Sequence, residues 1–140
     1  MIRSRPEDAT NEREVAVRLE TAWKCKLHHF GRMNPVDWYA ERDGRVVAFA
    51  ELKRRTHGAG KFPTVYLALR KVVSLLMAAG AAEGTAPLFV VGFDDAVKWV
   101  DVRTVPLGSV KVLGRRDRGA ANDLEPIIEV PVAAMREVAA

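Results

Sequence analysis

The chain has 140 residues, 49% of them hydrophobic, enough apolar material for one compact domain with a core of its own. Lys and Arg number 22 against 18 Asp and Glu, and the resulting charge of +4 leans only weakly toward a polyanionic partner. A lone cysteine, Cys25, excludes an internal disulfide; residues 1–10 carry no apolar leader core, and the longest apolar stretch, 72–82, is too short to cross a bilayer, so the expectation is a cytoplasmic protein without a membrane partner.

The first predicted element is an amphipathic helix in which Val15, Ala16, Leu19, Ala22 and Trp23 form one apolar stripe. Asn11 and Glu14 have capping-box spacing; Ser4 and Glu7 share it with Pro6 between them, which allows a start one or two turns earlier. Strands are expected over 26–30, 37–41 and 46–53, the last two joined at Asp43-Gly44. A polar loop over 54–63 leads to a second helix over 64–79, with Val65, Leu69, Val72, Val73 and Leu76 toward the core and Gly80 at its end. The continuous apolar run 88–93 reads as a strand buried on both faces, followed through Asp94-Asp95 by a strand over 97–102. Residues 105–125 show little periodicity and read as a basic excursion before a short strand over 127–130. Helix, three strands, helix, two strands and a tail make an α/β fold with a mixed central sheet flanked by helices.

Chemistry concentrates where the third strand ends. Glu51 and Lys53 follow the apolar run 46–50 and share one face of the strand, a costly place for a carboxylate and an ammonium unless they are paired or bind an ion. Asp37 joins them only if hairpin parity allows. A two-residue Asp43-Gly44 loop would pair 37 with 50 and put Asp37 on the wrong face. A three-residue loop, Arg42-Asp43-Gly44 with Gly44 left-handed in a bulge, pairs 37 with 49 and is the register expected. Glu12 lies on the core-facing stripe of the first helix, near its start, where the macrodipole favours an anion.

Taken singly, each of these residues has an ordinary reading as turn residue, solvated edge or first-turn acid; taken together they read as a catalytic group. Carboxylates converging on one point repel unless a divalent cation fills the gap, and oxygen ligands suit Mg²⁺ or Mn²⁺. Such an ion polarises a phosphate and acidifies water, and Lys53 would orient that water or neutralise the charge that builds up on phosphorus.

Pro35-Val36-Asp37 followed fourteen positions after the aspartate by Glu51-Leu52-Lys53 resembles the PD-(D/E)XK nuclease signature. Asn11-Glu12-Arg13-Glu14 resembles the Glu-Arg-Glu entry of archaeal Holliday-junction resolvases in that superfamily, and Asp37-Trp38-Tyr39, Val65-Tyr66-Leu67 and Asp123-Leu124-Glu125-Pro126 look like small phage-encoded members. The resemblance covers about residues 8–102 and implies a restriction-endonuclease-like αβββαβ core, with the basic excursion and a last strand over 103–140 in the same single domain. It also implies metal binding by Asp37, Glu51 and the Leu52 carbonyl, nucleophile assistance by Lys53, Glu12 beside the metal, and DNA, duplex or branched, as partner of a homodimer. Two departures stand: the residues after Val102 do not match the archaeal resolvases, and His28 or His29 stands where those enzymes often carry an arginine.

Arg13, Arg54, Arg55, His57 and Lys61 are expected along the nucleic-acid path, with Arg70 and Lys71 on the polar side of helix two and Lys111, Arg115, Arg116 and Arg118 as a second basic segment; solvated loops and faces are the alternative. Cys25, His28 and His29 lack a fourth ligand at structural-zinc spacing, and Trp38 and Trp99 are expected as packing residues. The competing function is a non-catalytic nucleic-acid-binding module of a phage replication or packaging assembly.

Overall fold

The structure, a computed structural model, describes residues 6–106, 110–113 and 124–139, with side chains from residue 12 onward. Arg115, Arg116 and Arg118, and with them most of the expected basic segment, lie outside the described residues.

Helix α1 (Pro6–Trp23) opens on a proline, which loses no hydrogen bond in a first turn. The earlier of the two expected starts is therefore the one found, and Asn11 is an interior helix position. Val15, Ala16 and Leu19 are buried, as the stripe required. Strands β1 (Lys26–His29), β2 (Trp38–Arg42) and β3 (Arg45–Arg54) run antiparallel in sequence. β3 then pairs in parallel with β5 (Ala86–Gly92), through a connection that carries β4 (Thr64–Ala68) and helix α2 (Leu69–Ala81). β6 (Val97–Asp101) returns antiparallel through the tight turn at Asp94-Asp95, as expected. With β9 (Arg136–Glu137) at the edge, the sheet order is β1-β2-β3-β5-β6-β9.

The expected mixed sheet between helices is thus the architecture observed, with three corrections. Residues 64–68 are not the first turns of helix two but strand β4, where Val65 and Leu67 are buried and Tyr66 is exposed, a period of two. β4 pairs with β8 (Glu125–Pro131), which also pairs with β7 (Val110–Leu113), so the excursion and the last strand build a second sheet, β4-β8-β7. The core face of α2 is accordingly Val72 and Leu75, with Val73 turned outward, and the left-handed glycine beyond the helix is Gly84 rather than Gly80.

The third correction is the hairpin register. Asp43 and Gly44, both with positive φ, make a two-residue loop with Arg42 opposite Arg45, the mirror-image turn that matches strand twist. A bulge then leaves Val47 unpaired between Glu41↔Val46 and Ala40↔Ala48, so that Tyr39 faces Phe49 and Trp38 faces Ala50. One residue further, Asp37 stands opposite Glu51. The shared face expected of the two carboxylates is obtained, by a bulge inside the ladder instead of a longer loop.

The sheet has a packed layer on each side. Trp38, Ala40, Ala48, Ala50, Leu52 and Val90 face α1, and the small alanines let the helix lie close. Phe89, Val91 and Val100 face α2 and the inner side of the second sheet, where Val65, Leu67, Ile128 and Val130 are buried. β5 contributes to both layers, as its unbroken apolar run required.

At Gly92 helix α1 lies close against the sheet: a Cβ there would stand 2.5 Å from Cγ2 of Val15. Gly92→Ala is expected to cost about 1–3 kcal/mol in urea unfolding, the range for overpacking a filled core. Combining it with Val15→Ala should cost less than the sum of the single changes, and an alanine accommodated without loss would show that the helix is not held this close.

Candidate active site

Because β3 alternates faces beyond its bulge, Phe49, Glu51 and Lys53 point toward the α2 layer while Ala50 and Leu52 point toward α1. Glu51 is 3% exposed, one of the few buried polar residues among those described. Asp37, just ahead of β2, is held by the bond from the Phe30 amide to its carbonyl oxygen, 2.8 Å. The Glu51 and Asp37 carboxyl groups are close enough that each shifts the titration of the other.

Burial is the main force on both acids and it acts upward. On Glu51, burial, the hydrogen bond to Asp37 and the Asp37 charge together push the pKa up to about 8, against the pull of Lys53 and Lys71. On Asp37, burial is outweighed by the hydrogen bonds from Glu51 and Lys71 and by the Lys71 charge, leaving its pKa below the ordinary value. Within the pair Glu51 is thus the acid that keeps its proton to the higher pH and Asp37 the one that ionises first.

Two lysines flank the pair. Lys53 Nζ lies 3.7 Å from Glu51 Oε1, and its side chain is 37% exposed. Lys71 Nζ, reaching in from the first turn of α2, lies 2.7 Å from Asp37 Oδ1 and 3.7 Å from Glu51 Oε2. Lys71, expected with Arg70 on the polar side of helix two, has a side chain only 14% exposed and directed at the acids. Glu51 Oε2 is buried without a hydrogen-bond partner.

Glu12 stands apart from the pair, on the α1 side, where Oε1 accepts a bond from Trp38 Nε1 at 3.3 Å. Burial raises its pKa, the Trp38 bond lowers it, and smaller effects come from Asp37, Lys53 and His29. It borders the site without entering the carboxyl pair. Among the described residues no three His, Cys, Asp or Glu side chains are grouped to hold one ion. Leu52 lies between Glu51 and Lys53 with its side chain buried under α1.

Most of the expected nucleic-acid residues have partners within the fold. Arg54 is tied to Asp94, 2.8 Å, and to the carbonyls of Gly92 and Arg55. Arg55 stacks over the exposed Tyr66 ring with its Nη2 buried and unpartnered, His57 packs edge-on against Phe62, and Lys61 lies over that same ring. Arg70 pairs with Glu125 at 2.7 Å and Lys111 with Glu129 at 2.9 Å. Arg13 is exposed on α1. Trp38 is buried and Trp99 partly so, stacked edge-on with Trp23, as packing residues.

An orphaned carboxylate oxygen, two acids brought close together, and oxygen donors from just ahead of β2 and from β3 are the features of a site suited to a hard divalent cation. Asp37 and Glu51 fit that role.

Known proteins bear on this geometry in two ways. The sequence model of the family described as "Phage putative PDDEXK endonuclease" matches residues 3–138. Among solved structures, Hjc of Archaeoglobus fulgidus, a Holliday junction resolvase from an archaeal hyperthermophile, superposes with a TM-score of 0.62 over 94% of this chain and 92% of that chain, at 14% identity, a likeness of fold. No curated protein matches the chain.

The raised pKa of Glu51 has a consequence for stability. The native state keeps its proton where an unfolded chain has lost it, so the contribution is complete below the ordinary value of 4.5 and is lost as pH rises through about 8. Asp37, depressed, acts only at lower pH, below its ordinary 3.8. Without added metal, unfolding free energy is therefore expected to fall across that upper window, and Glu51→Gln should flatten the slope. A slope unchanged by the substitution would place the titration elsewhere.

Proposed function

The chain belongs to the phage PDDEXK endonuclease family, and from that membership we propose that it is a divalent-metal-dependent endonuclease hydrolysing DNA phosphodiester bonds at Asp37, Glu51 and Lys53. The single observation that carries the reading is the pairing of Asp37 with the buried Glu51, whose Oε2 has no hydrogen-bond partner, with Lys53 beside it on the open side.

Asp37 and Glu51 would hold the ion, Mg²⁺ or Mn²⁺, with the Leu52 carbonyl between them on β3 as a further oxygen donor and Glu12 at the border. Bound there, such an ion supplies Lewis acidity toward the scissile phosphate and toward water. For the ion to be taken up, Glu51 must surrender its proton, so uptake is favoured as pH rises toward about 8. Lys53, half in solvent, is placed to hydrogen-bond the attacking water or a non-bridging phosphate oxygen, a group whose charge builds up in the transition state. Arg13, Arg54, Arg55, His57, Lys61 and Arg70 would grip the phosphates on either side, with Arg115, Arg116 and Arg118 adding charge from the excursion. Arg54 and Arg70 would exchange their present carboxylate partners, Asp94 and Glu125, for DNA.

Branched DNA such as a four-way junction is the substrate inferred first. Its support is the fold of the Holliday junction resolvase, and a two-fold junction suits a homodimer acting through the whole chain as one domain.

The test is cleavage of a panel of four-way junction, flap, linear duplex, single-stranded DNA and RNA in Mg²⁺ or Mn²⁺. Cutting of the junction ahead of the duplex is expected. Lys53→Ala should lower the rate by roughly 10²–10⁴-fold, as expected for loss of a positioned charge or proton-transfer group, while the dissociation constant for DNA changes little, because phosphate contacts elsewhere supply most binding. A wild-type chain that binds every substrate and cuts none with either ion would replace the enzyme by a nucleic-acid-binding module.

A further inference from the structure

Lys71 does something that a phosphate-gripping lysine does not. Its ammonium makes a short ion pair with Asp37, 2.7 Å, comes within 3.7 Å of the orphaned oxygen of Glu51, and lies 3.5 Å from the carbonyl oxygen of Pro35. Three oxygens from the loop before β2 and from β3 thus surround one positive charge.

Nothing local to α2 favours this placement. Lys71 is in the first turn of the helix, which has no acidic residue there and no side-chain cap at Ala68, and a cation near a helix N-terminus opposes the macrodipole. The ammonium is held by Asp37 and Glu51, not by its own helix. Lys53 differs on each point: it has no short ion pair, reaches only the outer oxygen of Glu51, and is more than twice as exposed.

We infer that Lys71 is a tethered cation standing in for the divalent ion between Asp37 and Glu51, and that the ion is taken up by exchange, the ammonium leaving Asp37 as the ion arrives. The inference rests on the metal-binding reading above. An ion coordinated by oxygens at ~2.0–2.6 Å needs the Asp37 oxygen that Lys71 now engages and the space beside Glu51 Oε2 that its ammonium borders. A divalent charge and an ammonium a few ångströms apart in a site largely closed to water repel with an energy far above thermal, so both cannot keep the present positions. The site is therefore held together while empty and pays for that in metal affinity.

The experiment is isothermal titration of Mn²⁺ into the whole chain, wild type and Lys71→Met, Lys71→Gln and Lys71→Arg, with melting of each measured free of metal. Removing the charge should lower the metal-free melting temperature and tighten Mn²⁺ binding by roughly tenfold or more, while Lys71→Arg stays near wild type. A wild type that binds Mn²⁺ alongside neutral variants that bind no tighter sinks the exchange and leaves the metal site standing. No binding by any of the proteins sinks both. Should the neutral variants fail to fold, the Lys71 ¹³Cε resonance of the wild type decides: it is expected to move on saturation with Mg²⁺, and a resonance that stays in place refutes the exchange.

Discussion

Two carboxyl groups side by side beneath a helix repel each other and resist burial, and the centre of this molecule is arranged around that difficulty. Glu51 is almost fully buried, keeps one oxygen without a partner, and has its pKa pushed up to about 8 by burial and by Asp37. An apolar residue of similar volume would cost the fold less, since buried ionisable groups are weak stabilisers even when paired. A chain that tolerates the acid here is spending stability on binding or chemistry, and membership of a nuclease family is consistent with that expense.

The architecture delivers the pair through one irregularity. A two-residue turn at Asp43-Gly44 by itself would set Asp37 across from Ala50, with its side chain on the α1 face and away from Glu51. The extra residue in β3, Val47, reverses the parity for everything toward the site end of the strand. Its own packing records the switch: Val47 belongs with the α1 layer, whereas Phe49, two positions on, belongs with the α2 layer. The same reversal that brings Asp37 to Glu51 lines Ala48, Ala50 and Leu52 up under α1. Small side chains at two of these positions let that helix approach closely enough for Val15 to exclude a Cβ at Gly92.

This arrangement explains what could and could not be read beforehand. The α1 stripe, the doubly buried β5 and the tight turn at Asp94-Asp95 were legible because each is written in local periodicity or turn chemistry. The shared face of Asp37 and Glu51 was legible as a requirement, but the bulge that satisfies it was not, since no residue type marks Val47 as the one to be left unpaired. β4 is disguised as helix in the sequence because Val65, Leu69 and Val72 also fit a helical spacing. Its strand character comes from β8, some sixty residues away, whose Val130 and Ile128 lie opposite Val65 and Leu67. Glu12 was placed on the correct stripe, yet that stripe faces the side of the sheet away from Glu51, which a stripe alone cannot tell.

Misplacing β4 also hid Lys71, for a reason that links the second sheet to the site. With the helix started at residue 64, Arg70 and Lys71 fall in its middle, where cations are unremarkable; started at Leu69, they become two cations in a first turn that has no acid to offset them. That pattern demands acids from elsewhere in the fold, and both are present: Glu125 at the start of β8 takes Arg70, and Asp37 takes Lys71. Pairing of β8 with β4 fixes where α2 begins, and the Arg70–Glu125 contact joins the helix start to that same strand. The phase of α2 that buries Val72 and Leu75 is then the phase that turns Lys71 toward the acids. Among the described residues, the segment after Val102 thus acts on the site through the helix whose lysine reaches into it.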